Sequence, residues 1–144
     1  MNYQEALRYL QEVRENGTKL SLENIQRIID QLPFSLNNIK FIQVAGTNGK
    51  GSTSHFIANI LIASGYKVGL FTSPHLQNIR ERVTINKNWI SEDQFALEIG
   101  RIRDFVRQLL DKNLIDNSPT FFEHLLLLAL FYFNSQEADY AVLE

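Results

Sequence analysis

Apolar residues fall into two rhythms along this chain, and their order predicts an α/β fold. Ala6, Leu7, Leu10 and Val13 recur at three- and four-residue spacing and predict a helix over 3–14, stopped at Asn16-Gly17. Leu22, Ile25, Ile28, Ile29 and Leu32 repeat the rhythm behind Ser21, an N-cap residue type, and Pro33 closes this second helix. The period then changes. Residues 40–45 predict a short buried strand, a glycine-rich turn follows, and Phe56, Ile57, Ile60 and Leu61 resume helical spacing over about 53–64, ending at Gly65. Lys67 to Phe71 predicts a second strand, and Arg82 to Asn86, with Val83 and Ile85 inward, a third. Asn86-Lys87-Asn88 is a turn, followed by Trp89 and Ile90. Ser91 and Gln94 frame a capping box for a helix reaching about Lys112, with Phe95, Ile99, Ile102, Phe105, Val106 and Leu109 on its inner face. Pro119 suits the first turn of the next helix, which runs to about Asn134 and is apolar nearly all round, so it has to be buried. Asp139 to Glu144 is the last predicted strand, and there is no internal repeat.

Strands alternating with helices predict an α/β fold: a mostly parallel sheet with helices on both faces. Ligands of such sheets sit beyond the carboxyl ends of the strands. That rule puts the glycine-rich turn, Ser73 after the second strand and Glu144 after the last on one rim. The sequence ends inside an apolar strand, which leads us to expect a truncated domain from a longer protein.

Composition narrows the classes. A chain of 144 residues, 44% hydrophobic and 21% charged, is one domain by size with enough apolar surface for a core. The net charge of −2 argues against a general nucleic-acid binder, whose mark is a basic face. The longest wholly apolar run, Leu125 to Phe133, falls far short of the ~20 residues that cross a bilayer, so no membrane partner is expected. Without cysteine there is no disulfide and no thiolate metal site. No basic, hydrophobic leader is visible, and the expected location is the cytoplasm.

The chemistry concentrates in Val44-Ala45-Gly46-Thr47-Asn48-Gly49-Lys50-Gly51-Ser52-Thr53. A strand, a glycine-rich turn with one lysine and then a helix is how many proteins hold nucleotide phosphates. Glycines let the backbone approach an anion, the first helical turn points unpaired N–H groups at it, and Lys50 adds a point charge. The strict G-x-x-x-x-G-K-[ST] pattern is not met. Val44 stands where the first glycine belongs, and Gly51 where a magnesium-holding hydroxyl belongs. The competing reading is an ordinary strand-to-helix turn with a surface lysine.

Gly46 to Thr53 resembles the phosphate loop of the Mur ligase superfamily of ATP-dependent amide ligases. Gly65-Tyr66-Lys67-Val68-Gly69, Thr72-Ser73-Pro74-His75-Leu76, Glu81-Arg82, Thr120-Phe121-Phe122-Glu123 and Val142-Leu143-Glu144 narrow the resemblance to folylpolyglutamate synthase and its bifunctional relative dihydrofolate synthase. It covers the whole chain. It implies a central-domain fold of the Mur ligase type, with residues 1–33 as a leading helical segment of an incomplete ATP-binding domain and the C-terminal glutamate-binding domain absent. The implied reaction attaches L-glutamate to folate or dihydropteroate through an acyl phosphate. By the same resemblance, Thr47, Asn48, Gly49, Lys50, Gly51 and Ser52 hold ATP, Lys50 is catalytic, and Ser73 and Glu144 ligate Mg2+. Thr120, Phe121, Phe122 and Glu123 receive the pterin substrate, and the Ser73–Arg82 loop lies over it.

Each role has a plainer rival. Ser73 before a proline is a turn residue, Glu123 a first-turn acid favoured by the helix dipole, and Phe121 and Phe122 core residues. His55, His75 and His124 lack metal-ligand spacing, and His55 and His124 read as structural residues borne on helices. Arg101, Arg103 and Arg107 read as a solvated helix face. Two other functions compete: a stand-alone nucleotide-binding module without catalysis, and an amide ligase acting on a cell-wall precursor.

Overall fold

A computed structural model describes residues 1–16 and 22–144. The helices are α1 (Tyr3–Glu15), α2 (Leu22–Asp30), α3 (Lys50–Ala63), α4 (Glu92–Asp111) and α5 (Phe121–Ser135). The strands are β1 (Lys40–Gln43), β2 (Val68–Phe71), β3 (Val83–Ile85), β4 (Asn88–Trp89) and β5 (Tyr140–Leu143). Two compact units result: Met1–Ser35 with Glu92–Leu128, and Leu36–Ser91 with Ala129–Glu144. The leading helices thus share a unit with α4 and the first part of α5.

The first unit is helical. Asn2 caps α1 in a reciprocal box, its side chain accepting from Glu5 N at 2.9 Å while Glu5 accepts from Asn2 N at 2.7 Å. Ala6 and Leu10 of α1 are buried, and α4 buries Phe95, Ile99, Ile102, Val106 and Leu109 as its spacing predicts. The Tyr3 ring meets Phe95 edge-on at 5.3 Å. Glu98 is buried on the same helix, paired with Arg101 at 3.3 Å. The expected stripe of α2 is only partly realised: Ile28 is fully buried, but Leu22, at the very start of the helix, is 88% exposed. Ser21 and Gly17, expected as cap and terminator, lie outside the described residues.

The second unit carries the sheet, in the order β1-β5-β2-β3-β4. β1, β5 and β2 run parallel, with Gln43, Leu143 and Phe71 level at their carboxyl ends. β3 and β4 extend the sheet antiparallel to β2, making it mixed. The two-residue turn Asn86-Lys87, with φ of 46° and 70°, has the left-handed pair that matches strand twist in a hairpin. Successive residues of β2 face opposite sides. Val68 and Leu70 pack with Val142 and with Ala58, Ile57 and Leu61 of α3. Gly69 faces the other side, where α5 comes so close that a Cβ there would lie 2.6 Å from the Phe133 ring. Helices therefore cover both faces, as predicted. The sheet takes only part of α3's apolar surface, and Phe56 and Ile60, expected on the buried stripe, are 69% and 65% exposed.

Candidate active site

The turn after β1 brings the phosphate-loop residues to the rim of the parallel strands. Val44 N donates to Leu143 O at 2.8 Å, prolonging the ladder by one residue before the chain leaves the sheet. Gly49 then takes a left-handed conformation, φ 75° and ψ 9°, as the N-cap of α3. The helix begins at Lys50, three residues earlier than the apolar spacing predicted, because Gly51 and Ser52 carry no apolar signal. Lys50, Gly51 and Ser52 are therefore its first turn, where N–H groups and the positive end of the dipole point outward. Residues 45–49 are exposed. Among the described residues, the side chains of Thr47, Asn48 and Lys50 make no hydrogen bond or ion pair. The His55 ring Nδ1 bonds Gly51 O at 2.7 Å one turn on. A Cβ at Gly51 would meet nothing within 4 Å, so crowding does not explain the missing hydroxyl.

Ser73 and Glu144 come together although 71 residues separate them. The ends of β2 and β5 are register partners, Glu144 N donates to Phe71 O at 2.9 Å, and Ser73 N donates to Glu144 Oε2 at 2.8 Å. The loop that begins at Ser73 is tightly tied. Thr72 N donates to Arg82 O at 3.0 Å across its base. Glu81 accepts from Leu76 N (2.9 Å), Gln77 N (3.0 Å) and Asn78 N (2.7 Å), and these amides, Leu76's foremost, hold its carboxyl below the ordinary glutamate pKa. Arg82 Nε donates to His75 Nδ1 at 2.8 Å.

Ser73 and Glu144 supply one hydroxyl and one carboxylate, hard oxygen donors suited to magnesium. That ion takes few protein ligands and completes its shell with water and phosphate oxygens. Among the described residues no three His, Cys, Asp or Glu side chains cluster, so a softer donor set is not at hand.

Thr120 to Glu123 open α5, in the helical unit. Thr120 is the residue before the helix, with Pro119 outside it rather than in its first turn. A reciprocal box forms: Thr120 N donates to Glu123 Oε2 at 2.7 Å, and Glu123 N donates to Thr120 Oγ1 at 3.2 Å. Phe122 is 46% exposed, and the Arg14 guanidinium lies 5.7 Å from the centre of the Phe121 ring. His124 is fully buried behind this turn. Its Nδ1 lies 3.0 Å from Thr120 O, which can only accept, so Nδ1 carries the hydrogen. Nε2 of the neutral ring then accepts from the Tyr9 hydroxyl at 2.9 Å.

Burial holds the His124 pKa below the ordinary histidine value, and burial raises that of Tyr9. Below about pH 6.5 the unfolded chain protonates this histidine before the native one does, so stability falls with pH until the lowered native pKa is reached. Urea denaturation at pH 7.5, 6.5 and 5.5 should show the protein weakening, and His124→Phe should flatten the slope by up to about 1.4 kcal/mol per pH unit.

Sequence reasoning missed the two asparagine boxes, Asn2 with Glu5 and Asn78 with Glu81, though the spacing N-x-x-E was there to read. The Tyr9–His124 contact spans 115 residues and has no local signal.

No family model matches the chain. A probable bifunctional folylpolyglutamate synthase/dihydropteroate synthase of Haloferax volcanii is 37% identical over 145 residues, covering all of this chain and 17% of that protein. The crystal structure of folylpolyglutamate synthase from Thermotoga maritima superposes with a TM-score of 0.85 at 37% identity, covering 99% of this chain and 32% of the other. A bifunctional folylpolyglutamate synthase/dihydrofolate synthase, solved with Mn, AMPPNP and L-glutamate, superposes with a TM-score of 0.79 at 32% identity, covering 100% and 33%. Such relatives are much longer: this chain spans 17% to 31% of the curated ones that it matches along its full length or nearly so. Along its whole length this chain is similar in sequence and fold to folylpolyglutamate synthases and dihydrofolate synthases, and it matches part of those full-length proteins.

Proposed function

We propose that this chain supplies the ATP-phosphate and divalent-metal groups of a ligase that joins L-glutamate to folate or dihydropteroate. One observation carries the reading: the first turn of α3, Ser73 and Glu144 lie on the same rim of three parallel strands, with Ser73 N on the Glu144 carboxylate at 2.8 Å. Backbone N–H groups from Thr47 to Ser52 receive the phosphate oxygens, and the Lys50 ammonium offsets the charge that builds on the transferred phosphoryl group. Ser73 and Glu144 would hold Mg2+, which would supply positive charge to offset that of the phosphates. The substrate carboxylate takes the terminal phosphoryl group, ADP leaves, and the glutamate amine displaces phosphate from the acyl phosphate to form the amide. Thr120 to Glu123 receive the pterin. The Glu123 carboxylate is an acceptor for its amino and ring N–H groups, and Phe122 offers an aromatic face.

This chain provides parts of the ATP, metal and pterin sites, and the glutamate-binding half and complete turnover belong to a longer protein acting in the cytoplasm. No helix among the described residues is long and apolar enough to cross a membrane. Calorimetric titration with AMPPCP tests the reading: binding should strengthen when Mg2+ is added, and Glu144→Gln should remove most of that gain. Equal affinity with and without Mg2+ in the unaltered protein contradicts the metal assignment, and absence of binding contradicts the proposal.

A further inference from the structure

A buried imidazole needs polar partners where leucine or phenylalanine would need none, and a half-buried phenol on a neighbouring helix supplies one. His124 and Tyr9 satisfy one another, and the ring's other nitrogen goes to the carbonyl of Thr120. That carbonyl already accepts the first helical bond of α5, from His124 N at 2.9 Å. Thr120 O is therefore held by two donors, while Thr120 N and Oγ1 are held by Glu123. Every backbone and side-chain heavy atom of Thr120 able to hydrogen-bond is engaged. The turn still keeps outward-facing capacity: Glu123 Oε1 has no hydrogen-bond partner among the described residues, and Phe122 is half exposed. α1 closes over the same turn a second time, through Arg14 on the Phe121 ring.

We propose that Tyr9 and His124 are positioning residues for the acceptor substrate, forming a hydrogen-bonded relay from α1 to the Thr120 carbonyl that fixes the Thr120–Glu123 turn in its binding geometry. This rests on the reading of that turn as the pterin-receiving segment. The relay acts through orientation. It touches no substrate, and it removes the freedom of the N-cap residue to swing its carbonyl and, with it, the Glu123 carboxylate. Tyr9→Phe deletes one hydroxyl, and His124→Phe deletes both ring nitrogens. His124→Asn restores a side-chain N–H near the position of Nδ1 and is the conservative rescue.

The test is titration of the full 144-residue chain and its variants with folic acid and, separately, with Mg2+-AMPPCP, followed by the backbone amide NMR signals of Thr120 to Glu123. In the unaltered chain folic acid should shift those amides. Tyr9→Phe should weaken folic acid about tenfold and His124→Phe by more, with AMPPCP affinity unchanged in both, and His124→Asn, which restores the bond to Thr120 O but not the one to Tyr9, should return affinity to the Tyr9→Phe level. Unchanged folic acid affinity in both phenylalanine variants overturns the relay and leaves the substrate reading standing. Parallel loss of folic acid and AMPPCP affinity shows general damage and also overturns it. If the unaltered chain fails to bind folic acid, or binds it without moving those amides, the substrate reading falls and the relay with it.

Discussion

Gly69→Ala is expected to destabilise the protein by about 3 kcal/mol, at the upper end of what overpacking a filled core costs. The cause is a single approach. An alanine Cβ at this position would sit 2.6–2.7 Å from three atoms of the Phe133 ring, and Phe133 is itself fully buried. Neither side can yield easily: Gly69 lies in β2, hydrogen-bonded on both edges, and Phe133 lies in the last turns of α5. The melting temperature should fall by roughly 6–12 °C for a chain of this size. Phe133→Leu in the same chain should return part of the loss by opening the ring's space. Gly51→Ala is the control, because its Cβ would meet nothing within 4 Å and alanine favours helix, so stability there should hold or rise. A Gly69→Ala protein that melts within 2 °C of the parent would contradict the packing described here.

Lys50→Ala is expected to weaken binding of Mg2+-AMPPCP by about 10- to 100-fold, the range for losing one charge-assisted contact to an anion. The fold should not notice. Lys50 is at the first position of α3, half-buried, with no ion pair or hydrogen bond from its ammonium among the described residues. A lysine at the positive end of a helix is mildly unfavourable on its own, so its removal should leave the melting temperature level or slightly higher. Loss of affinity together with unchanged stability is the combined result that a phosphate-binding lysine gives. Equal affinity in the two proteins would leave Lys50 as a surface residue of an ordinary turn.

Much of this arrangement was legible in the sequence because long amphipathic helices and short apolar strands leave strong local patterns. The inner face of α4 was readable from Phe95 to Leu109, and the rule that ligands gather at the carboxyl ends of parallel strands joined Ser73 to Glu144 before any contact was known. Strand direction was not legible. Val83 and Ile85 alternate alike in a parallel or an antiparallel strand, and only Asn86-Lys87 signalled that β3 turns back into β4. The start of α3 was missed because its first turn, Lys50-Gly51-Ser52, is written in polar and glycine residues that also spell a loop. The apolar stripe of α2 overstated burial at Leu22, since periodicity says which face is apolar and not how far along the helix a neighbour extends. The Tyr9–His124 contact needed the tertiary structure, for nothing in either residue's neighbourhood names the other.

In the proposed site a triphosphate seats on the first turn of α3 and shares a divalent ion with Ser73 and Glu144. A crystal of the protein with Mn2+ and AMPPCP, read from the anomalous signal of manganese, decides this arrangement. One manganese peak should lie within bonding distance of the Ser73 hydroxyl and the Glu144 carboxylate, with phosphate density against the backbone amides of Thr47 to Ser52. Manganese bound elsewhere, or phosphates seated away from Lys50, would contradict it.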